Sequence, residues 1–447
     1  MKKFFTTITN IYKIDDLRVR ITNTLLFLLI YRVGSFVVLP GVSPSSVSGK
    51  QGSEGLAGLL NMFSGGSFAH ASIFALGVMP YISASIVVQL LGIAVPYFAK
   101  LQKEGESGRN KLNQWTRYLT IAITAVQAVA YLKSQITPEQ MTISNPYFTI
   151  LNMCVLTAGT LFVMWLGEKI TDKGIGNGIS LIIMVGIISA LPGAFVSEFQ
   201  SRNAGKGGLI TFVVEIVALI GVVMFTILIV QGTRKIAVQY AKRIVGNKQY
   251  GGVRQYIPLK VNAAGVMPII FAQALMFIPS TVASFFPKAA SNGILMSLAN
   301  YTSLAHNLLF AILIIAFTFF YTAITVNPTQ MADDMKKNGG FVPGIKPGIA
   351  TAQFIDGVIS KITFPGSIFL AIIAIMPALA SLVNVTGNFA RFFGGTSLII
   401  LVGVVLDTLQ QIESHLLMRH YDGLMKTGRI KGRSGVSTSE NAGEPVI

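Results

Sequence analysis

A single cysteine, Cys154, stands among the 447 residues, so neither an internal disulfide nor a Cys/His metal site can be built. Its neighbours from Leu151 to Val155 are apolar, which predicts a small buried hydrophobe rather than a reactive thiol. Charge is also scarce, at 12% of residues against 52% hydrophobic ones. A soluble domain carries about twice that charge, so the composition is that of a multispanning membrane protein. Acids are scarcer still, 18 against 35 Lys and Arg. The sequence has no Walker loop, no HExxH and no nucleophile elbow, and its histidines (His70, His306, His415, His420) are scattered near the ends of apolar runs. Nothing here predicts enzyme chemistry, a cofactor or a metal. A transporter coupled to ions needs ionisable groups near the bilayer midplane, and the candidates are few: Arg32, Glu215, Asp407 and Glu413. None has an evident partner on its own helix, which favours packing or interfacial roles; Arg32 reads as snorkelling or internally paired.

Apolar runs are what the chain has in abundance. Ser72 to Gly92, SIFALGVMPYISASIVVQLLG, carries no charge and is long enough to cross a core of about 30 Å at about 1.5 Å per residue. Pro80 predicts a kink near its middle, turned toward protein or a cavity. Just before it, Asn61 to Phe68, NMFSGGSF, is too short and too rich in Gly and Ser to cross, which predicts a half-helix folded back into the protein. Counting Ile21–Leu39, Ser72–Tyr97, Tyr118–Leu132, Phe148–Leu166, Ile179–Val196, Leu209–Gln231, Val261–Phe285, Leu308–Val326, Gly366–Val385 and Thr396–Leu417 gives ten spans. The basic segment at residues 1–20 resembles a signal peptide, but the run after it is too long and lacks a cleavage site, so it reads as span one.

Alternating loops under the positive-inside rule put both termini in the cytoplasm. That assignment collects most of the basic residues on one side and leaves Lys50, Lys133, Arg202, Lys206, Lys288 and Arg391 on the other. Two loops on the basic side are unusually large, Arg234–Lys260 and Asn327–Pro365, the second punctuated by Gly and Pro. Positive charge there is expected of any membrane protein, but the length and patterning predict docking surfaces for an anionic partner. The tail from 421 to 447 is polar, basic and then Ser/Gly-rich, which predicts disorder. If the chain has two related halves of five spans, at about 21–196 and 197–420, they must be inverted.

Longer motifs are more specific. SIFALGVMPYISASIVVQLL with the preceding NMFSGGSF resembles the second-span and plug region of the SecY family of protein-conducting channels. WLGEKITDKGIGNGISLIIM (Trp165 to Met184) resembles that family's second signature. KEGESGRNKLNQWTRY, VQYAKR, PLKVNAAGVMPIIFA, NPTQMADDMKKNGGFVPGIKPG and FGGTSLII match further segments in order.

The resemblance implies an all-α membrane protein of ten helices in two inverted halves, with large loops at about 233–260 and 327–365. It would move unfolded secretory proteins across the bacterial plasma membrane and release hydrophobic segments into lipid. It further implies a pore ring of Val78, Ile82, Ile183, Ile270, Ile278 and Ile400, a plug at about 58–68 (Asn61, Met62, Phe63, Ser64, Gly65, Gly66), and a lateral gate whose Gln89, Gln127 and Asn262 hydrogen-bond across. Branched aliphatics suit such a ring, because they form a dewetted constriction that varied side chains can push aside. Docking of the SecA motor ATPase and the ribosome would fall on Lys242, Arg243, Lys248, Lys336, Lys337 and Lys346, with SecE and SecG as small membrane subunits, signal-sequence-bearing polypeptides as substrate, and no free nucleic acid. The family's arginine in the second loop is here Lys346, which keeps the charge but loses the planar fork. The alternative from another class, a small-solute secondary transporter, predicts a midplane polar site and has no use for large basic loops.

Overall fold

The structure, a computed structural model, describes residues 14–43, 56–136, 147–204, 208–240, 243–245, 248–250, 254–273, 275–276, 297–298 and 303–427. The first helix, α1 (Asp15–Gly34), has Asp15 and Asp16 in its first turn and Arg32 in its last, the charge order that suits the helix dipole. It stops short of the expected Leu39. Residues beyond Gly34 turn and extend, and they pair with the chain returning from the bundle: the Leu39 amide donates to the Ala71 carbonyl at 2.9 Å and the Ile73 amide to Val37, also at 2.9 Å.

Helix α2 (Leu56–Phe63) has eight residues and ends in a turn through Gly65 and Gly66, whose φ angles of 65° and 93° favour glycine. The chain then runs without a helix to Val78. Pro80 does not kink the next helix, α3 (Met79–Ala94). It lies in the first turn, where its missing N–H costs no hydrogen bond, so the proline starts the helix instead of bending it. The bend falls at Pro96, which opens α4 (Pro96–Lys103) at 104° to α3.

Four long helices follow: α5 (Glu106–Gln135), α6 (Tyr147–Lys173), α7 (Gly178–Asn203) and α8 (Gly208–Gln231). In α5, Thr116, Thr120 and Thr124 share one buried face, and each hydroxyl donates to the carbonyl four residues back, so the stripe is polar in composition yet satisfied locally. Cys154 lies exposed on α6, contrary to the expected burial. Small residues bring helix ends together. A Cβ on Gly178 of α7 would come within 2.0 Å of the Gly167 carbonyl of α6.

After α8 come β1 (Thr233–Tyr240), β2 (Arg243–Val245), β3 (Lys248–Tyr250) and β4 (Arg254–Lys260), so the fold is mostly helical rather than wholly so. Of the expected span Val261–Phe285, residues 267–273 are helical and most of the rest falls outside the described residues. The chain continues through α9 (Leu304–Thr325), α10 (Pro328–Lys337), β5 (Gly340–Phe341), α11 (Ile349–Leu382), α12 (Gly387–Ala390) and α13 (Gly395–Thr427). Among the described residues, six helices are long and apolar enough to cross a membrane, or seven with the bent α3–α4 pair as one span. The molecule is a multi-pass membrane protein.

Candidate functional site

The largest apolar cluster draws on α6, α7, α12, α13 and the segment from Met62 to Val78. Val78, Ile183 and Ile400 are buried in it, and Ile82 and Ile270 pack against it half-buried. Five of the six residues expected in the ring therefore share one cluster, although Val78, α3, α7, the 267–273 helix and α13 contribute them from distant parts of the sequence. Ile278 lies outside the described residues.

Met62 and Phe63 join the same cluster, so the end of α2 is buried in the apolar region that holds these aliphatic side chains. Its seat is close, since a Cβ on Gly186 of α7 would meet the Phe63 carbonyl at 2.6 Å. The Asn61 side chain accepts from the Ala69 amide at 2.9 Å, and the Ser64 hydroxyl accepts from the Phe68 amide at 3.0 Å, which folds the Gly65–Gly66 turn back on itself. From outside the segment, the Tyr131 hydroxyl donates to the Phe68 carbonyl at 2.7 Å, Tyr31 donates to the Ser64 carbonyl at 3.2 Å, and Arg32 Nη1 donates to the Gly65 carbonyl at 2.6 Å. Arg32 does not snorkel away from the bundle. Its guanidinium carbon sits 5.0 Å from the centre of the Phe36 ring, and its partner is a main-chain carbonyl.

No hydrogen bond joins Gln89, Gln127 and Asn262 among the described residues. Gln89 donates to Ser85, one turn back on α3, at 3.4 Å. Asn262 is buried, and its Oδ1 has no hydrogen-bond partner.

The two large loops meet in one body. β1 pairs antiparallel with β4 along its length and with β5 through Gln239↔Phe341 and Tyr240↔Gly340. Ile236, Val238 and Leu259 from the first loop pack with Met335, Val342 and Ile355 from the second. Lys336 and Lys337 are exposed at the end of α10, and Lys346 is exposed in the turn that enters α11. That turn is held by Thr351, whose hydroxyl donates to the Lys346 carbonyl at 2.9 Å. The backbones of Arg243 and Lys248 lie in the β2–β3 hairpin, and Lys242 falls outside the described residues.

One buried group escaped the sequence reading. Arg202, which loop counting placed outside the helices, ends α7 buried, with its Nε 2.8 Å from Glu198 Oε1 and its Nη2 bonded to Glu215 of α8. Nη2 also donates to the Asn384 carbonyl at 3.1 Å, and Glu198 accepts from the Thr386 amide at 2.9 Å and from its hydroxyl. The four-residue spacing of Glu198 and Arg202 was the available signal, because it puts both on one helix face.

Comparison with known proteins agrees with this architecture. The SecY family model matches residues 72–409. The protein translocase subunit SecY of Streptomyces scabiei is 44% identical over 437 residues, covering 94% of this chain and 100% of that protein. That of Halalkalibacterium halodurans is 43% identical over 442 residues, with 94% and 100% covered. Among solved structures, a protein-conducting channel superposes with a TM-score of 0.66 at 18% identity, covering 92% of this chain and 95% of that one. Sec61 from a canine ribosome-channel complex gives 0.62 at 18%, with the same coverage. A family model across most of the length and relatives matched end to end place the chain in the SecY family of protein translocase channel subunits, to which it belongs.

Proposed function

We propose that the cluster holding Val78, Ile82, Ile183, Ile270 and Ile400 is the constriction through which this translocase subunit passes unfolded polypeptide. The observation that carries the reading is that these aliphatics, from segments far apart in sequence, share one apolar cluster that also holds Met62 and Phe63. Such a neck excludes ions by dewetting while offering a moving chain no polar group to bind. Ile278 belongs to the same proposed ring by resemblance alone. The end of α2 and its glycine turn act as the plug, and the bilayer holds ten spans in two inverted halves, with both termini in the cytoplasm of a bacterial cell.

The sheet-based body formed by the two large loops is the proposed docking platform for the SecA motor and the ribosome, with Lys336, Lys337 and Lys346 on its surface. The SecE and SecG subunits would pack on the lipid-facing helices. Family membership favours this channel over a small-solute transporter. The experiment is crosslinking of a stalled secretory chain to cysteines placed at Ile82 and Ile183. Adducts at both positions, absent from exposed Ile210 on α8, are expected; labelling no stronger than at Ile210 would remove the constriction from this site.

A further inference from the structure

Two consecutive residues of α1 hold two consecutive carbonyls of the segment that caps the aliphatic cluster. Tyr31, fully buried and stacked 6.0 Å from Phe74, donates to the Ser64 carbonyl, and Arg32 donates to that of Gly65. Neighbouring positions on a helix point about 100° apart, so the two side chains grip the turn from different sides. The turn is shaped for them. Gly65 has positive φ, and a Cβ there would stand 2.9 Å from Arg32 Nη1 and 3.1 Å from the Gly186 Cα, so only glycine lets the carbonyl reach the guanidinium while the turn rests on α7.

A charged group inside an apolar span is costly unless it has work to do there. Here the cation spends its hydrogen bond on a neutral carbonyl rather than on a carboxylate. A neutral acceptor gives a bond strong enough to bias a position and weak enough to be broken when the segment moves. We infer that Tyr31 and Arg32 are positioning residues for translocation, a two-point latch that keeps the plug seated in the resting channel. The inference rests on reading α2 and its glycine turn as the plug. It differs from plain packing in predicting that hydrogen-bond donors, not side-chain bulk, keep the channel shut.

The test is single-channel conductance of the full chain in planar bilayers without a translocating substrate, for wild type, Arg32→Leu, Arg32→Lys, Tyr31→Phe and a deletion of residues 58–68. Arg32→Leu is expected to raise the resting open probability about tenfold, the size of effect of one lost charge-assisted hydrogen bond. Arg32→Lys, which keeps a donor, should restore most of the seal, and Tyr31→Phe, which keeps the ring, should open the channel about threefold. Adding Arg32→Leu to the deletion should change nothing further. A leaky deletion beside a tight Arg32→Leu would overturn the latch and leave the plug reading standing, whereas a tight deletion would overturn the plug reading itself. If Arg32→Leu does not fold, Tyr31→Phe decides alone, and a conductance equal to wild type overturns the latch.

Discussion

Arg202 stands between two carboxylates in a region almost closed to solvent, and that arrangement fixes what each substitution must do. Glu198 also accepts from Thr386, so the network ties the ends of α7 and α8 to the loop after α11. Removing the arginine leaves two like charges buried side by side, a change that costs about 3–5 kcal/mol for a broken buried pair. Arg202→Leu is therefore expected to lower the thermal unfolding midpoint of the purified protein by several degrees. Combining it with Glu198→Gln and Glu215→Gln should recover much of the loss, because no charge is then stranded; equal instability of the single and triple variants would show that the packing of these side chains, not their charge, matters. Gly186 makes a second residue-level case. A Cβ there meets the Phe63 carbonyl at 2.6 Å, and a backbone oxygen cannot swing aside as a side chain can. Gly186→Val should thus unseat the end of α2, seen as a raised resting ion leak in proteoliposomes with little change in melting temperature.

At the scale of elements, the apolar runs located most helices but not their ends. The run Phe148–Leu166 lies inside α6, and Gly366–Val385 begins midway along α11 and ends three residues past it, while the helix's 34 residues span about 51 Å against a hydrocarbon core of about 30 Å. Hydrophobicity reports the part of a helix that meets lipid and is silent about the polar turns beyond it. The same limit hid the sheet. β1 reads TRKIAVQY, long enough for a strand but basic at its start and set in a loop already read as a charged docking surface, and its further partner β5 has two residues some hundred positions later. Pro80 misled for a different reason, since a proline marks either a kink or a helix start and the sequence alone did not choose. The platform nonetheless yields a prediction. Val238 is fully buried where both loops meet, so Val238→Asp strands a charge in the shared core and should loosen the two loops together, checked by protease cleavage within 233–260 and 327–348. Lys346→Glu, on the surface of the same body, should leave that protection intact while blocking motor-driven export more than membrane insertion. Equal loss of export and insertion would point to general misfolding.

Helices from distant parts of the sequence surround one large apolar cluster, with a buried ionic tie near one end of α8 and a sheeted body after the other. On the proposed reading, lateral release of a hydrophobic segment requires helices to part, and the cost of parting depends on what the contact between them hides. Asn262 lies where the platform strand β4 gives way to the next membrane segment, buried with its Oδ1 unsatisfied. A buried acceptor without a partner costs about 1–3 kcal/mol, so in the arrangement seen here this residue destabilises its surroundings rather than fastening them. Asn262→Leu removes that cost and adds apolar contact, which makes the closed state deeper. A signal segment recovers about 0.3–0.6 kcal/mol per leucine placed in lipid, so about two to ten additional leucines would be needed to open the variant. Graded signal sequences in an export assay should show that shift toward greater hydrophobicity. A shift the other way would mean that Asn262 finds a partner when the seam is shut, and that the seam is fastened through it.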